Sequence, residues 1–395
     1  MSHSFDFFLI SPYFLIASSH TSRQDATTEM EQRAVLPIRA RKGTVFVKEE
    51  TIMRRSRLII LMCFLSLGVG LPQANAVLSP VGIWTGNVGL SVDAVGSNSS
   101  PVGNIQASIP TGSTILAAYL YSAGTPYPWY ANSPQTAGDY NGAGITLAGS
   151  AVNNFDTVVG AVSGRTDIGQ WYTGRADVTS LIGSLATAGP NYSWSVSETS
   201  LNNRIDGEVL AIVYEHPSLP ESSVALLDGG QNTDGETTTV NFGEPLGDPT
   251  DAGFFANMSL AISFSTAGSQ VSNVDINGTR LTSSAGGYDD GALYDGGLIT
   301  AGGIGDSLAN PSNPNSSSAA DDELYDLSPF LALGDTYFII TTDNPSDDDN
   351  IFFMALHLSG EISSINETGI PSPGALLLAS LGAGLASWLR RRRML

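Results

Sequence analysis

Between Val77 and Ile370 apolar and polar residues alternate in short runs, and long helical periodicity is absent. The stretch NYSWSVSE sets Tyr192, Trp194 and Val196 against Ser193, Ser195 and Ser197, the period-two pattern of a strand with one dry face and one wet face. GEVLAIVYEH and GDTYFIITTD are continuous apolar runs, which predict central strands covered on both sides. VDINGTRL places Asn277 and Gly278 between two short strands and predicts a hairpin turn. IFFMALHL is read as one strand with Ile351, Phe353, Ala355 and His357 on a common face. Only DVTSLIGSLA looks helical: Asp177 or Thr179 caps one or two turns, and Gly183 limits the length. Many short strands separated by Gly, Asn and Ser predict an all-β fold of one or two jelly-roll or Greek-key-like β-sandwich domains.

Proline and charge divide this region. EHPSLPES carries Pro217 and Pro220, and the charge balance changes there: residues 77–220 hold 9 acids against 3 arginines, residues 221–362 hold 22 acids against Arg280 alone. The expectation is a β-sandwich domain over 77–220, a more acidic one over 221–362 and a linker over 363–370. A single sandwich with strands exchanged across the boundary is the alternative.

The two ends differ from the middle. MRRSRLIILMCFLSLGVGLPQANA, residues 53–76, runs from a cationic segment (Arg54, Arg55, Arg57) through an apolar core to an A-x-A site at Ala74 and Ala76, before Val77. That order is what a signal peptidase cleaves, so export is expected, with Val77 as the first mature residue. Translation is expected to start at Met53, which leaves residues 1–52 as an upstream extension outside the fold. The one cysteine, Cys63, falls in the removed segment, so neither disulfides nor a cysteine nucleophile are expected in the mature chain.

At the other end, residues 371–395 place Pro371, Ser372 and Pro373 before an apolar segment, 375–389, that Arg390, Arg391, Arg392 and Arg393 terminate. Fifteen helical residues reach about 22 Å, short of the ~30 Å hydrocarbon core, so a single short transmembrane helix spans only with local thinning. The arginines would hold the C-terminus in the cytoplasm. This tripartite order resembles the PEP-CTERM sorting signal, with Ser372 where that family usually has glutamate. The resemblance implies an exosortase-type processing enzyme in a Gram-negative-type bacterium. It further implies an inner-membrane-anchored intermediate and final delivery to the cell surface or extracellular matrix. The stretch from Arg175 through Gly229 also resembles a module of adhesin-like secreted surface proteins.

Charge narrows the partners. From Val77 to Leu389 the chain has four arginines, no lysine and 32 acids. Such a surface repels phosphate backbones, which excludes nucleic acid as a partner. The acidic loops point to calcium as a candidate ion, because hard oxygen ligands on loops suit it. LDGGQNTDGE offers Asp228, Asn232, Asp234 and Glu236; a second set comprises Asp321, Asp322, Glu323, Asp347, Asp348, Asp349 and Asn350. Neither matches the EF-hand template, and a solvated acidic face explains them equally well. Tyr127, Trp129 and Tyr130, in TPYPWYANSPQ, are aromatics of the kind that stack on sugars or seal a sandwich edge. No G-x-S-x-G, H-E-x-x-H or P-loop pattern is present, and His216 and His357 lack metal-binding spacing. The sequence therefore points to a non-enzymatic structural or adhesive protein of the cell surface or matrix, with extracellular polysaccharide as a candidate partner. A secreted hydrolase of matrix polysaccharide is the alternative.

Overall fold

Short alternating segments leave each strand with one face to bury, and the chain solves this by stacking sheets. The computed structural model describes residues 77–369, apart from 98–99, 125–133, 163–169, 201–203, 266–271, 287–297, 309–322 and 348. The signal segment with Ala74 and Ala76, and the C-terminal Pro371, Ser372, Pro373 and Arg390 to Arg393, lie outside the described residues. So do Asp321, Asp322, Asp348 and the aromatics at 127–130.

Sheet I joins β3 (Val102–Ser108), β9 (Asn191–Ser197), β5 (Thr146–Leu147) and β6 (Ser150–Ala151) in that order. Sheet II runs β2 (Val88–Gly96), β10 (Gly207–Glu215), β4 (Thr114–Gly124), β8 (Gln170–Asp177) and β7 (Phe155–Val162). Sheet III runs β1 (Ser79–Gly86), β11 (Ser222–Asp228), β19 (Asn350–Leu358), β13 (Ala256–Ser265) and β16 (Leu298–Ala301), with β17 (Leu324–Asp326) also paired to β13. Sheet IV runs β15 (Thr279–Ala285), β14 (Ser272–Ile276), β18 (Tyr337–Asp343), β12 (Glu236–Phe242) and β20 (Ile362–Gly369). All the pairings are antiparallel.

Three apolar cores alternate with these four sheets. Ile105, Trp194 and Val196 of sheet I meet Leu120, Ala176, Leu210 and Ile212 of sheet II. The opposite face of sheet II, with Val92, Tyr121, Val209, Ala211 and Val213, meets Val224, Leu226, Phe352, Phe353 and Ala355 of sheet III. The far face of sheet III, with Ala225, Leu227, Met258, Leu260 and Leu356, meets Val240, Val274, Phe338 and Ile340 of sheet IV. The inner strands are therefore buried on both faces, which is why β10 is buried from Gly207 to Tyr214 and β11 throughout.

The prolines at 217 and 220 sit where the chain crosses from sheet II to sheet III, so the expected boundary marks a change of layer. The first strand crosses it in the other direction: β1 pairs with β11 from Ser79↔Asp228 to Gly86↔Ser222. Residues 77–220 and 221–362 thus share sheet III, and all the described residues fall in one compact unit. Residues 363–369, read from sequence as a linker, form most of β20, held along β12 from Phe242↔Ile362 to Glu236↔Gly369.

Two α-helices occur among the described residues. α1 (Ala137–Gly142) opens on a capping box: the Asp139 amide donates to Thr136 Oγ1 at 3.3 Å and the Thr136 amide to Asp139 Oδ2 at 2.9 Å. α2 (Thr179–Leu185) is the helix expected at DVTSLIGSLA. No helix among the described residues is long and apolar enough to cross a membrane.

Candidate functional site

The seam between sheets II and III holds a cluster of polar and aromatic side chains. Asp228 ends β11 on the face of Val224 and Leu226, which points it at sheet II, where Arg175 of β8 receives it in an ion pair. Burial raises the Asp228 carboxyl above its ordinary value and Arg175 offsets part of that rise, whereas the less enclosed guanidinium keeps its charge. Contact geometry makes this an ion pair. Beside it Tyr121 is fully buried, 5.1 Å from the Phe353 ring, and burial followed by the Asp228 charge pushes its phenol well up. The Arg175 guanidinium also stands 5.8 Å from the ring centroid of Tyr119, two residues along β4.

Tyr119 leads into a cavity of about 700 Å³ at the rim of this seam. One wall is Trp84, on the edge strand β1. Its six-membered ring lies against Gly82, where a β carbon would stand 2.5 Å from the ring, so only glycine admits this packing. Leu116, Ala117 and Tyr119 of β4, Ala151, Val152, Asn154 and the segment from Asp177 to Leu181 complete the lining. That segment is pinned: the Val178 amide donates to the Ala118 carbonyl at 2.9 Å, and the Ala118 amide donates to Thr179 Oγ1 at 2.9 Å. Asp177 Oδ1 accepts from the Thr179 amide at 2.9 Å, and Asn154 Nδ2 donates to the Asp177 carbonyl at 3.0 Å. Asp177 Oδ2 and Asn154 Oδ1 remain outside these bonds. Both residues are exposed, and Asp177 helps burial hold the Tyr119 phenol above its ordinary value.

His357 lies elsewhere on the same seam. Its Nε2 is 3.3 Å from Ser222 Oγ, which donates to the Val88 carbonyl at 2.9 Å, and its ring meets Phe255 edge-on at 4.7 Å. Burial lowers its pKa to about 4, so it is a neutral hydrogen-bonded histidine. Phe353 and Ala355 share its face as the sequence implied, but Ile351 does not. The register slips at Ala261↔Phe353 and Ile262↔Ile351, and Phe352 is the extra residue, a bulge that turns Ile351 into the sheet III–IV core.

The described ion-ligand candidates are engaged within the fold, and two of them, Glu323 and Asp349, both lie against Gly286. Asp228 belongs to Arg175. Glu236 is buried and takes the Asn232 amide at 3.2 Å and the Leu78 amide at 3.5 Å, while Asn232 Oδ1 accepts from the Asp234 amide at 3.0 Å. Desolvation raises Glu236 to about 8, and these amides offset only part of it. In the second set, Glu323 is fully buried and accepts from the Gly286 amide at 2.8 Å and from the Tyr325 hydroxyl. Asp349, also fully buried, accepts from Ser346 Oγ at 2.8 Å, and the Asp347 amide donates to Asn344 Oδ1 at 2.8 Å. Asn350 is buried on β19 next to the bulge, and neither atom of its side-chain amide has a hydrogen-bond partner. Among the described residues no group of three or more histidine, cysteine, aspartate or glutamate side chains is arranged to hold a metal ion.

One carboxyl that the sequence did not single out is Glu208, opposite Ser122 across β10 and β4 on the sheet I side. Burial and then the charge of Glu198 push it well above the carboxylate range. An acid–base pair must reach a substrate, and the cavities at Trp84, at His357 and at Glu361 are lined by other residues. No protein-family model matches the chain, and no curated protein matches its sequence.

Proposed function

We propose that this chain is an exported structural or adhesive protein of the cell surface or extracellular matrix, built from Greek-key-like sandwich modules and delivered through its C-terminal sorting signal. The observation that supports this best is how the fold uses its acids. Asp228 bridges two sheets to Arg175, Glu236 fastens two backbone amides, and Glu323 ties Gly286 to Tyr325. Buried groups of this kind serve a rigid body, and the three cores around them make a stiff block suited to presenting a surface. The sequence signals supply the address: a signal peptide ending at Ala76, then Pro371 to Pro373, an apolar segment and Arg390 to Arg393.

Terminal peptide mapping of the protein in the producing cell and its medium tests this. The expected mature form begins at Val77, and the form shed to the medium lacks Arg390 to Arg393. A cytoplasmic protein that keeps residues 53–76, or shed protein that still ends in WLRRRRML, contradicts the proposal.

A further inference from the structure

We propose that the cavity between Trp84 and Tyr119 is a binding site for a neutral oligosaccharide. This names a ligand for the matrix protein proposed above, and rests on that reading only for where the ligand is met. Two aromatic rings on different sheets wall the cavity, Trp84 from β1 and Tyr119 from β4, and sugar rings offer apolar C–H faces to such surfaces. The same lining includes Asp177, Asn154 and Ser180, polar side chains of the kind that bond sugar hydroxyls. The volume lies within the range of pockets that hold a small ligand.

Charge selects among saccharides. Among the described residues the ionisable side chain lining the cavity apart from Tyr119 is Asp177, and the arginine behind Tyr119, Arg175, is committed to Asp228. A uronate or sulfated chain would find no cation among the described lining residues and would meet the acidic surface besides. The site is also rigid, because the start of α2 is hydrogen-bonded to β4 and the Trp84 ring rests on Gly82, so little ordering opposes binding.

Calorimetric titration of the full-length protein with cellohexaose, maltohexaose, chitohexaose and mannohexaose, and with hexagalacturonate as the anionic control, tests the proposal. Binding is expected with at least one neutral hexasaccharide and not with hexagalacturonate. Trp84→Ala is expected to weaken it roughly tenfold or more, and Trp84→Phe less, because a ring remains. Trp84 also packs on the seam, so a second variant fills the cavity from an exposed position: Ser180→Tyr is expected to abolish binding with an unchanged melting temperature. Absence of binding by all four neutral sugars overturns the site, as does equal affinity of Ser180→Tyr or preference for the galacturonate. Sugar binding by a protein that is never exported would sink the matrix proposal and leave the site standing. Export without sugar binding would do the reverse.

Discussion

Glu236 and His357 are each held away from their ordinary ionisation, in opposite directions and for one reason. Burial disfavours the charged form, so the Glu236 carboxyl rises to about 8 and the His357 imidazole falls to about 4. The folded state therefore binds more protons than the unfolded chain at Glu236, whose contribution is full below about pH 4.5 and is lost as pH rises through 8. His357 works the other way: its contribution is full above about pH 6.5 and is lost as pH falls through 4. Urea denaturation at a series of pH values is expected to yield stability that declines from pH 5 to 8, with Glu236 supplying on the order of 3 kcal/mol of the fall. Glu236→Gln should flatten that alkaline decline, and His357→Gln should flatten the loss below pH 6. A Glu236→Gln profile parallel to that of the parent would mean that the carboxylate is charged and satisfied by its two amides.

At the scale of elements, patterns that depend on near neighbours were legible and those set by the third dimension were not. Asn277 and Gly278 both take positive φ, 51° and 76°, as the Asn-Gly turn between β14 and β15 requires. Trp194 and Val196 of β9 and the whole of β10 to Tyr214 are buried as their runs implied. GDTYFIITTD is central in sheet IV, as its run implied, but alternates in burial, with Tyr337 52% exposed, because sheet IV is an outer layer. α1 was missed: Thr136 and Asp139 mark a capping box, but six residues carry too little periodicity to be seen. The site was less legible still, since Trp84 and Tyr119 are distant in sequence and only the stacking of sheets II and III brings them to one cavity. Arg175 and Asp228 share that origin. Arg175→Met leaves Asp228 buried without its counter-charge and is expected to cost about 2–4 kcal/mol, whereas Arg175→Met with Asp228→Leu should recover most of it. Equal losses in the single and double variants, read from denaturation midpoints, would mean that packing and not charge holds this corner.

Across the whole molecule the middle core decides how the parts depend on one another. Val209, Ala211 and Val213 of one sandwich and Val224, Leu226 and Phe353 of the other are buried against each other, so neither sandwich can open without exposing apolar surface on both. The loop after β16 adds a backbone link, the Ile304 amide to the Val92 carbonyl at 3.0 Å, and a β carbon on Gly303 would stand 2.1 Å from that same carbonyl. Scanning calorimetry is therefore expected to yield one transition whose calorimetric and van't Hoff enthalpies agree. Two separated transitions would mean that the middle core is only a contact between independent domains.

Sheet III also sets a timetable. Its first strand, β1, is made before any of its companions, yet Thr85 bonds Ser223, 138 residues further along the chain. The other neighbour of β11, β19, begins only at Asn350. β1 is therefore unpaired until β11 has emerged, and β11 lacks its second flank until nearly all of the chain has, which is the situation that slows folding and invites pairing between molecules. A nascent chain of this design is best kept unfolded and guarded until synthesis is almost done, and that is the form in which a polypeptide can still be threaded through a pore.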